Sequence, residues 1–274
     1  MKILIVGLGL IGGSAAKALV RAGMIADGKD RPEVEERALS EGVIGGICSD
    51  TNNYDVVIIA LPPDAAMRFL DEARFQDGAV VADFCGVKEV IEKLVFSKDR
   101  NYRYVGCHPM AGKEVSGFRN SAENLFDGAS MIITKNRHTD VQAVQLLQDL
   151  YAQMGFTTFR FCSAAEHDKK IAYTSQLAHI VSNAYVKSPS ANGFSGFTGG
   201  SFQDMTRIAG VDETVWTRLY LLNLGAIREE LSTLVAHLQE YLSALENGDG
   251  EKLKELLREG RLRKEELDRE RKIL

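Results

Sequence analysis

A glycine-rich turn between an apolar strand and a helix limits the folds open to this 274-residue chain more than any other feature. Residues 3–6 form a short apolar run, and Gly7, Gly9 and Gly12 follow it at GxGxxG spacing, with a helical pattern directly behind. In such a unit the first glycine allows the tight turn, the second lets the backbone approach a pyrophosphate, and the third lets helix and strand pack closely. The chain therefore begins with the pattern of a dinucleotide-binding fold.

Two other interpretations of this start stay open. A tight strand–helix turn can use glycines without binding a nucleotide, and Lys2 followed by apolar and small residues also fits a secretory signal. The helical pattern continues unbroken through residues 15–22, which favours the nucleotide. Asp30 lies about 20 residues beyond the glycines, where an acidic residue holds the ribose 2′-hydroxyl of NAD. Arg31 beside it could instead accept the 2′-phosphate of NADP, and we favour NAD.

Further apolar runs alternate with helical patterns, which predicts an α/β fold: a mostly parallel Rossmann-type sheet with helices on both faces. The predicted strands after the first cover residues 24–26, 55–60, 79–83, 104–107, 129–134 and 157–161. Ligands of such sheets bind beyond the carboxyl ends of the strands. The residues predicted to bind the cofactor are Gly7, Leu8, Gly9, Leu10, Ile11, Gly12, Asp30, Arg31, Leu61, Pro62 and Gly86.

The sequence changes character near Cys162. A capping box at residues 163–166 starts a region without a convincing strand, and helical patterns cover residues 168–185, 212–245 and 251–272. We predict a dinucleotide-binding domain over residues 1–162 and an all-helical domain over residues 163–274. The last helix carries a narrow leucine face, which fits either a solvated packed helix or a dimer contact.

Composition restricts the function classes. The chain is 45% hydrophobic and 26% charged with a net charge of −5, as in ordinary soluble globular proteins. It has no basic, aromatic-interleaved patch, so we expect no nucleic-acid partner, and no apolar run long enough to span a bilayer, so we expect no membrane partner. Its four cysteines lack metal or redox spacing, which predicts free thiols, no metal and a cytoplasmic location.

His108 is the first candidate for chemistry. It directly follows a predicted strand, in a loop shaped by Pro109 and Gly112. A histidine at that edge of the sheet can face a bound nicotinamide, whereas the alternative is an ordinary surface-loop histidine. Its position at the ligand edge favours a function.

A polar helix face and an arginine segment provide two more candidates. Ser175, Gln176, His179 and Asn183 share one face of a mostly apolar helix, so they either line a wet pocket or form a satisfied core network. Further on, Arg207 could form a two-pronged contact with a carboxylate, or pair structurally with a nearby aspartate at helical spacing. We interpret His167 and Asp168, at the start of the polar helix, as local capping and orientation.

Taken together, these segments resemble the prephenate dehydrogenases and their arogenate-using relatives. The resemblance covers nearly the whole chain, from residues 7–12 through 108–114, 167–168, 175–179 and 199–209 to Trp216. It implies a nucleotide domain joined to an all-helical domain through which the protein forms a homodimer. It also implies an NAD-dependent enzyme that converts a small molecule, prephenate, to 4-hydroxyphenylpyruvate by oxidative decarboxylation on the way to tyrosine.

The same resemblance implies roles for single residues. His108 corresponds to the catalytic histidine that bonds the ring hydroxyl, and the substrate-binding residues correspond to Ser175, Gln176, His179, Arg207 and Glu114. Among these, His179 lies near the substrate side chain, Arg207 receives a carboxylate, and Glu114 stands near the entrance.

Two positions depart from the family pattern. Gly86 replaces a serine near the nicotinamide, and Gln176 replaces a histidine. Three alternatives therefore stay open: an arogenate dehydrogenase that yields tyrosine, a β-hydroxyacid or imine reductase of similar plan, and a catalytically weak NAD-binding protein.

Overall fold

A seven-stranded sheet forms the centre of the computed structural model, which describes residues 1–113 and 115–272. In chain order the strands are β1 (Ile3–Val6), β2 (Asp27–Lys29), β3 (Val56–Ile59), β4 (Val80–Asp83), β5 (Arg103–Pro109), β6 (Ser130–Thr134) and β7 (Thr158–Cys162). They lie in the order β2-β1-β3-β4-β5-β6-β7, and every neighbouring pair is parallel except β5 and β6. The predicted mostly parallel sheet is confirmed.

The second strand lies three residues later than the sequence predicts. The apolar run at residues 24–26 suggests a strand, but the backbone N–H of Met24 donates to the Leu19 carbonyl at the end of the preceding helix. Gly23 has a φ of +76°, so this bond closes a glycine-based helix cap. Met24, the first residue of the apolar run, therefore belongs to the cap and not to a strand. The chain becomes extended only at Asp27.

Helices follow most strands. They are α1 (Leu10–Arg21), α2 (Pro32–Ser40), α3 (Pro63–Glu72), α4 (Glu89–Val95), α5 (Val141–Gln153), α6 (Ala164–Ile171), α7 (Ala178–Tyr185), α8 (Gly200–Thr206), α9 (Glu213–Leu222), α10 (Leu224–Glu246) and α11 (Gly250–Lys272). A π-helical segment, Ala172–Leu177, connects α6 to α7. Short 3-10 turns lie at Thr51–Asn53, Phe118–Asn120 and Pro189–Ala191.

Helices cover both faces of the sheet, as β1 illustrates. Successive side chains of a strand point to opposite faces. Ile3 and Ile5 belong to a core cluster with α1 and α5, whereas Leu4 and Val6 belong to a second cluster with α3 and α4. All four are buried, which explains why the strand is a continuous apolar run.

The carboxyl ends of β1, β3, β4 and β5 meet at one edge because these strands are parallel. After β1 the chain turns to one side to form β2, and it returns to the other side of β1 for β3. Such a reversal point opens a crevice that serves as the ligand site of open α/β sheets. The fold therefore gathers the loops after these four strands at one place.

The helix predicted over residues 212–245 is interrupted at Asn223, where α9 ends and α10 begins. By its internal contacts the chain divides into two units there, Met1–Leu224 and Gly225–Leu274. The boundary that we predict near Cys162, between the dinucleotide-binding domain and the helical domain, stays a prediction.

The second unit is a pair of helices, α10 and α11. Gly248 has a φ of +62° in the turn between them, and the Asp249 carboxylate accepts the Lys252 backbone N–H at 2.9 Å to begin α11. Large apolar side chains stay exposed on both helices, at Leu238, Leu242, Leu245, Leu257 and Leu262. Among residues 1–113 and 115–272, no helix is long and apolar enough to cross a membrane.

Candidate functional site

The glycine turn after β1 has the shape of a pyrophosphate cradle. Gly7 has a φ of +89°, and a Cβ atom there would lie 2.5 Å from the Ala60 carbonyl oxygen. A Cβ atom at Gly12 would lie 1.7 Å from the Gly7 carbonyl oxygen, whereas one at Gly9 would meet none of the described residues within 4 Å. The first and third glycines are thus required by packing, and the second leaves an open backbone at the N-terminus of α1.

We expect Gly9→Ala to weaken dinucleotide binding while leaving the fold intact. The added methyl group enters the open space where a pyrophosphate would approach, so NAD affinity should fall at least about tenfold, the equivalent of about 1.4 kcal/mol. Gly260→Ala is the matched control, because that glycine lies in α11 and its new Cβ atom also meets nothing within 4 Å in the described part of the chain. Calorimetric titration with thermal melting checks this. Unchanged affinity in Gly9→Ala would mean that the pyrophosphate lies elsewhere.

Asp30 lies directly beyond β2, beside this cradle. Its carboxylate accepts the backbone N–H of Leu8 at 2.5 Å and that of Arg31 at 2.7 Å. The Arg31 side chain is 76% exposed and lies 3.3 Å from the Glu33 carboxylate and 3.8 Å from that of Asp30. The acidic group therefore faces the glycine turn, while the guanidinium is already held between two carboxylates.

The loops after β3 and β4 lie next along the same edge. Leu61 and Pro62 lead into α3, and the thiol of Cys85 donates to the Leu61 carbonyl at 3.4 Å. This bond ties the two loops together beside Gly7, since a Cβ atom at Gly7 would also lie 2.9 Å from the Leu61 side chain. Both loops thus border the cradle, and the binding of the cofactor by Leu61, Pro62 and Gly86 stays a prediction.

A buried ion pair supports the loop after β4. Lys88 and Asp83 are both fully buried, and the Lys88 ammonium donates to the Asp83 carboxylate. The other carboxylate oxygen of Asp83 accepts the Tyr104 hydroxyl at 2.5 Å, and the Cys85 backbone N–H donates to the first at 2.9 Å. These bonds fix the ends of the short segment that contains Gly86.

His108 stands at the end of β5 with its ring against Gly86. A Cβ atom at Gly86 would lie 3.7 Å from His108 Nε2 and 3.8 Å from the Leu219 side chain of α9. The Nε2 atom therefore points into the space bordered by the loop after β4 and by α9. His108 lies at the carboxyl edge of the sheet, as the sequence predicts, but it is the penultimate residue of β5, paired with Ile132 of β6, rather than part of a loop beyond the strand.

His167 and Asp168 continue a chain of hydrogen bonds from His108. His108 Nδ1 lies 2.8 Å from His167 Nε2, and His167 Nδ1 lies 2.7 Å from the Asp168 carboxylate. Asp168 also accepts the backbone N–H groups of Lys88 and Glu89 at 2.8 and 2.9 Å. The capping part of our interpretation is wrong, because Ser163 caps α6 whereas Asp168 accepts the N–H groups at the start of α4. The orientation part agrees with the bond between His167 Nδ1 and Asp168.

The surroundings keep both imidazoles neutral. Burial lowers the pKa of His108 well below its usual range, and the neighbouring His167 and Lys88 lower it further. Burial likewise lowers the pKa of His167, although its bond to Asp168 opposes the shift. Near neutral pH, His108 is therefore an uncharged imidazole at the ligand edge.

The polar face of α7 holds the segment that carries Arg207. His179 Nδ1 donates to the Ile208 carbonyl at 2.9 Å, Ser182 to the Met205 carbonyl at 2.6 Å, and Asn183 to the Ala209 carbonyl at 3.1 Å. The His179 ring also packs on Trp216, with ring centroids 3.9 Å apart. Part of the polar face is thus a satisfied network between two segments, and it fixes the backbone on both sides of the exposed Arg207.

Gln176 is oriented by a residue that we did not predict, Asn223. The Asn223 amide nitrogen donates to the Asp168 carbonyl at 2.8 Å and to Gln176 Oε1 at 2.7 Å. Because a backbone carbonyl only accepts, the first bond fixes the orientation of Asn223, and the second then fixes that of Gln176. Gln176 Nε2 is buried and has no hydrogen-bond partner among the described residues. An unpaired buried donor costs about 1–3 kcal/mol, which makes it a candidate ligand contact.

Ser175 and Glu114 are the remaining residues predicted to bind the substrate. Ser175 is half-buried in the π-helical segment. Glu114, predicted to stand near the entrance, lies outside the described residues. Within residues 1–113 and 115–272, no three His, Cys, Asp or Glu side chains come together as a metal site.

The fold and the site define a dinucleotide-dependent dehydrogenase: a glycine cradle and an uncharged imidazole lie at the same edge of one mostly parallel sheet. A family model described as the nucleotide-binding domain of prephenate dehydrogenase matches residues 15–159, and one described as its dimerization domain matches residues 163–259. The chain belongs to the prephenate dehydrogenase family, as the sequence predicts.

Individual relatives of this chain are named as prephenate or cyclohexadienyl dehydrogenases. The prephenate dehydrogenase of Lactococcus lactis is 31% identical over 95% of this chain and 75% of that protein. The cyclohexadienyl dehydrogenase of Zymomonas mobilis is 29% identical over 94% of this chain and 92% of that protein. The prephenate dehydrogenase of Aquifex aeolicus, solved with hydroxyphenyl propionate and NAD+, is 27% identical with a TM-score of 0.83, covering 97% of this chain and 98% of that one.

Proposed function

We propose that this dehydrogenase of tyrosine biosynthesis converts prephenate to 4-hydroxyphenylpyruvate, with His108 as its base. The observation that carries the proposal is the position of His108 Nε2, an uncharged imidazole nitrogen that faces the space beside Gly86 at the ligand edge of the sheet. An unprotonated imidazole nitrogen can accept the hydroxyl proton, which is the role of a general base.

NAD is the cofactor. The Aquifex aeolicus relative was solved with NAD+, and the open backbone at Gly9 and the carboxylate of Asp30 fit this dinucleotide. Asp30 is an acceptor for a ribose hydroxyl, and its negative charge opposes a 2′-phosphate. Arg31, held between Asp30 and Glu33, does not relieve that repulsion. NAD when bound supplies the oxidised pyridine ring that takes a hydride from the substrate.

His108 moves one proton in each direction. As the ring carbon that bears the hydroxyl is oxidised, Nε2 accepts the hydroxyl proton and a carbonyl forms. Loss of CO₂ then sends the electron pair of the broken carbon–carbon bond through the ring to the carbonyl oxygen. That oxygen takes the proton back from His108 as the ring becomes aromatic, so the histidine ends neutral. Arg207 holds a substrate carboxylate throughout.

Gln176 favours prephenate over arogenate. The family resemblance puts this residue beside the substrate side chain, and Asn223 takes one lone pair of its amide oxygen. The polar groups of Gln176 that have no partner among the described residues are the N–H donors on Nε2. These match the oxo and carboxylate oxygens of the keto-acid side chain of prephenate, whereas the ammonium group of arogenate would bring donors against donors.

The decisive experiment follows NADH formation with NAD+ and either prephenate or arogenate, each with the purified chain. We expect kcat/KM to be higher for prephenate. A higher value for arogenate would replace the substrate proposal by its closest rival. Activity on a β-hydroxyacid or an imine, with none on either cyclohexadienyl acid, would refute both, and NAD binding without any turnover would leave a weak nucleotide-binding protein.

We expect Arg207→Ala to raise KM for the substrate about 10–100-fold, because a hydrogen bond to a charged group is worth about 1.5–3 kcal/mol. Ser182 and Asn183 hold the surrounding backbone carbonyls, so the segment should keep its position. Arg207→Lys is the matched control, which keeps the charge, loses the two-pronged contact and recovers part of the loss. Steady-state kinetics of the wild type and the two variants measure these effects. An unchanged KM in Arg207→Ala would make this arginine structural.

The helical part supports a homodimer. Exposed leucines on α10 and α11, among them Leu238, Leu242, Leu245 and Leu257, form apolar surface of the kind that marks association. We propose that a second copy of the chain covers it. Light scattering that gives the mass of a monomer at micromolar concentration would overturn this part of the proposal.

A further inference from the structure

We propose that His167 is a positioning residue, which holds the His108 ring in the tautomer whose Nε2 atom is free of hydrogen and aimed at the substrate. The inference rests on the proposed role of His108 and deepens it. It adds to the site a residue that contacts neither substrate nor cofactor in the mechanism above.

The hydrogen positions follow from the fixed end of the chain of bonds. Asp168 accepts the backbone N–H groups of Lys88 and Glu89, so its carboxylate is an acceptor. His167 Nδ1 therefore donates to Asp168, and in a neutral ring its Nε2 atom must accept. The partner of that atom is His108 Nδ1, at 2.8 Å, which must donate. The lone pair that remains on the His108 ring is at Nε2.

The environment leaves little freedom for another arrangement. His167 is 1% exposed and Asp168 is 3% exposed, so solvent hardly competes for their bonds. The charged groups that act on this pair of rings are Asp168 from α6 and Asp83 and Lys88 from the strand and loop of β4. Lys88 is bound to Asp83, and its positive charge opposes a further positive charge on the two rings.

The same bonds also serve the charged intermediate. When His108 takes the substrate proton, its Nδ1–H group keeps donating to His167, whose Nδ1–H group faces the Asp168 carboxylate. A carboxylate at the far end stabilises the positive charge without itself taking a proton. The tautomer of the resting base and the stability of its protonated form thus depend on one residue.

Two variants of His167 separate positioning from folding. His167→Leu removes both nitrogens, whereas His167→Gln can return an oxygen acceptor close to the place of Nε2. Thermal melts verify that each is folded. We expect His167→Leu to lower kcat about 10–100-fold, the size of effect found when a metal-bound imidazole loses the partner that orients it, with KM and NAD affinity nearly unchanged. His167→Gln should recover a large part of that loss.

Nuclear magnetic resonance of ¹⁵N-histidine-labelled protein tests the tautomer without substrate. The His108 signals, assigned by their loss in His108→Ala, should show hydrogen on Nδ1 alone in the wild type and in His167→Gln, and a mixture in His167→Leu. An unchanged tautomer in His167→Leu, or equal kcat in the leucine and glutamine variants, would overturn the proposal. Neither result depends on which cyclohexadienyl acid is the substrate, so this failure is distinct from failure of the proposed function.

Discussion

Replacing His108 by alanine should lower kcat by about 10²–10⁴-fold, the usual contribution of general-base assistance. NAD affinity should stay unchanged, because the cradle lies at the end of β1 whereas His108 lies in β5, next to its last residue. Near-normal turnover in this variant would remove His108 from the mechanism.

His138→Ala is the matched control for that experiment. His138 is exposed and its ring stacks on Phe96 with centroids 5.1 Å apart, away from the bonds that hold His108. We expect it to keep wild-type kcat.

The pH profile gives a second measurement on the same residue. The base form of His108 exists above its pKa, which burial keeps well below the usual value near 6.5. Activity should therefore stay constant as the pH falls through 6.5 and decline only at more acidic pH. An acidic limb centred at 6.5 or higher would contradict the burial of a neutral His108.

The largest expected effect on stability comes from Lys88→Met. Lys88 and Asp83 are both fully buried, so loss of the ammonium leaves an uncompensated carboxylate in the interior. Breaking such a pair typically costs about 3–5 kcal/mol. We expect the free energy of unfolding, measured by urea denaturation, to fall by that amount, and the loop that holds Gly86 to lose its support.

A second substitution shows whether the charge is the cause. Asp83→Asn in the Lys88→Met background removes the buried charge, yet its amide can still bond the Tyr104 hydroxyl and the Cys85 backbone N–H. Most of the lost stability should return. A double variant as unstable as Lys88→Met alone would show that packing of the lysine stem, rather than the unpaired carboxylate, explains the loss.

The sequence predicts the parts of the site that depend on local pattern. A strand followed by GxGxxG and a helix allows close packing that larger side chains would block, since a side chain at Gly12 would overlap the Gly7 carbonyl. His108 follows an apolar run, and the carboxyl end of a parallel strand is where ligands meet such a sheet. The glycine turn, the acidic residue after β2 and the histidine edge can thus each be inferred from neighbouring residues in the chain.

Contacts between distant segments cannot be inferred in the same way. His167 and Asp168 look like the first turn of their own helix, and only the packing of α6 against the loop after β4 shows that they serve His108 and α4. Asn223 gives no signal, since it lies inside an apparently continuous helical pattern. Asp83 and Lys88 lie only five residues apart, but the sequence does not show that both are buried and paired.

The π-helical segment at Ala172–Leu177 sets the angular phase of everything that follows it. Such a segment holds one more residue than an α-helical turn, and each residue of a helix advances the chain by about 100°. A regular α-helix with the same number of residues would turn His179, Ser182 and Asn183 by about 100°, away from the carbonyls they now hold. Deletion of one residue within the segment, by contrast, would restore a regular α-helix that still presents these side chains to the same carbonyls, so homologous chains one residue shorter here can keep the same anchoring.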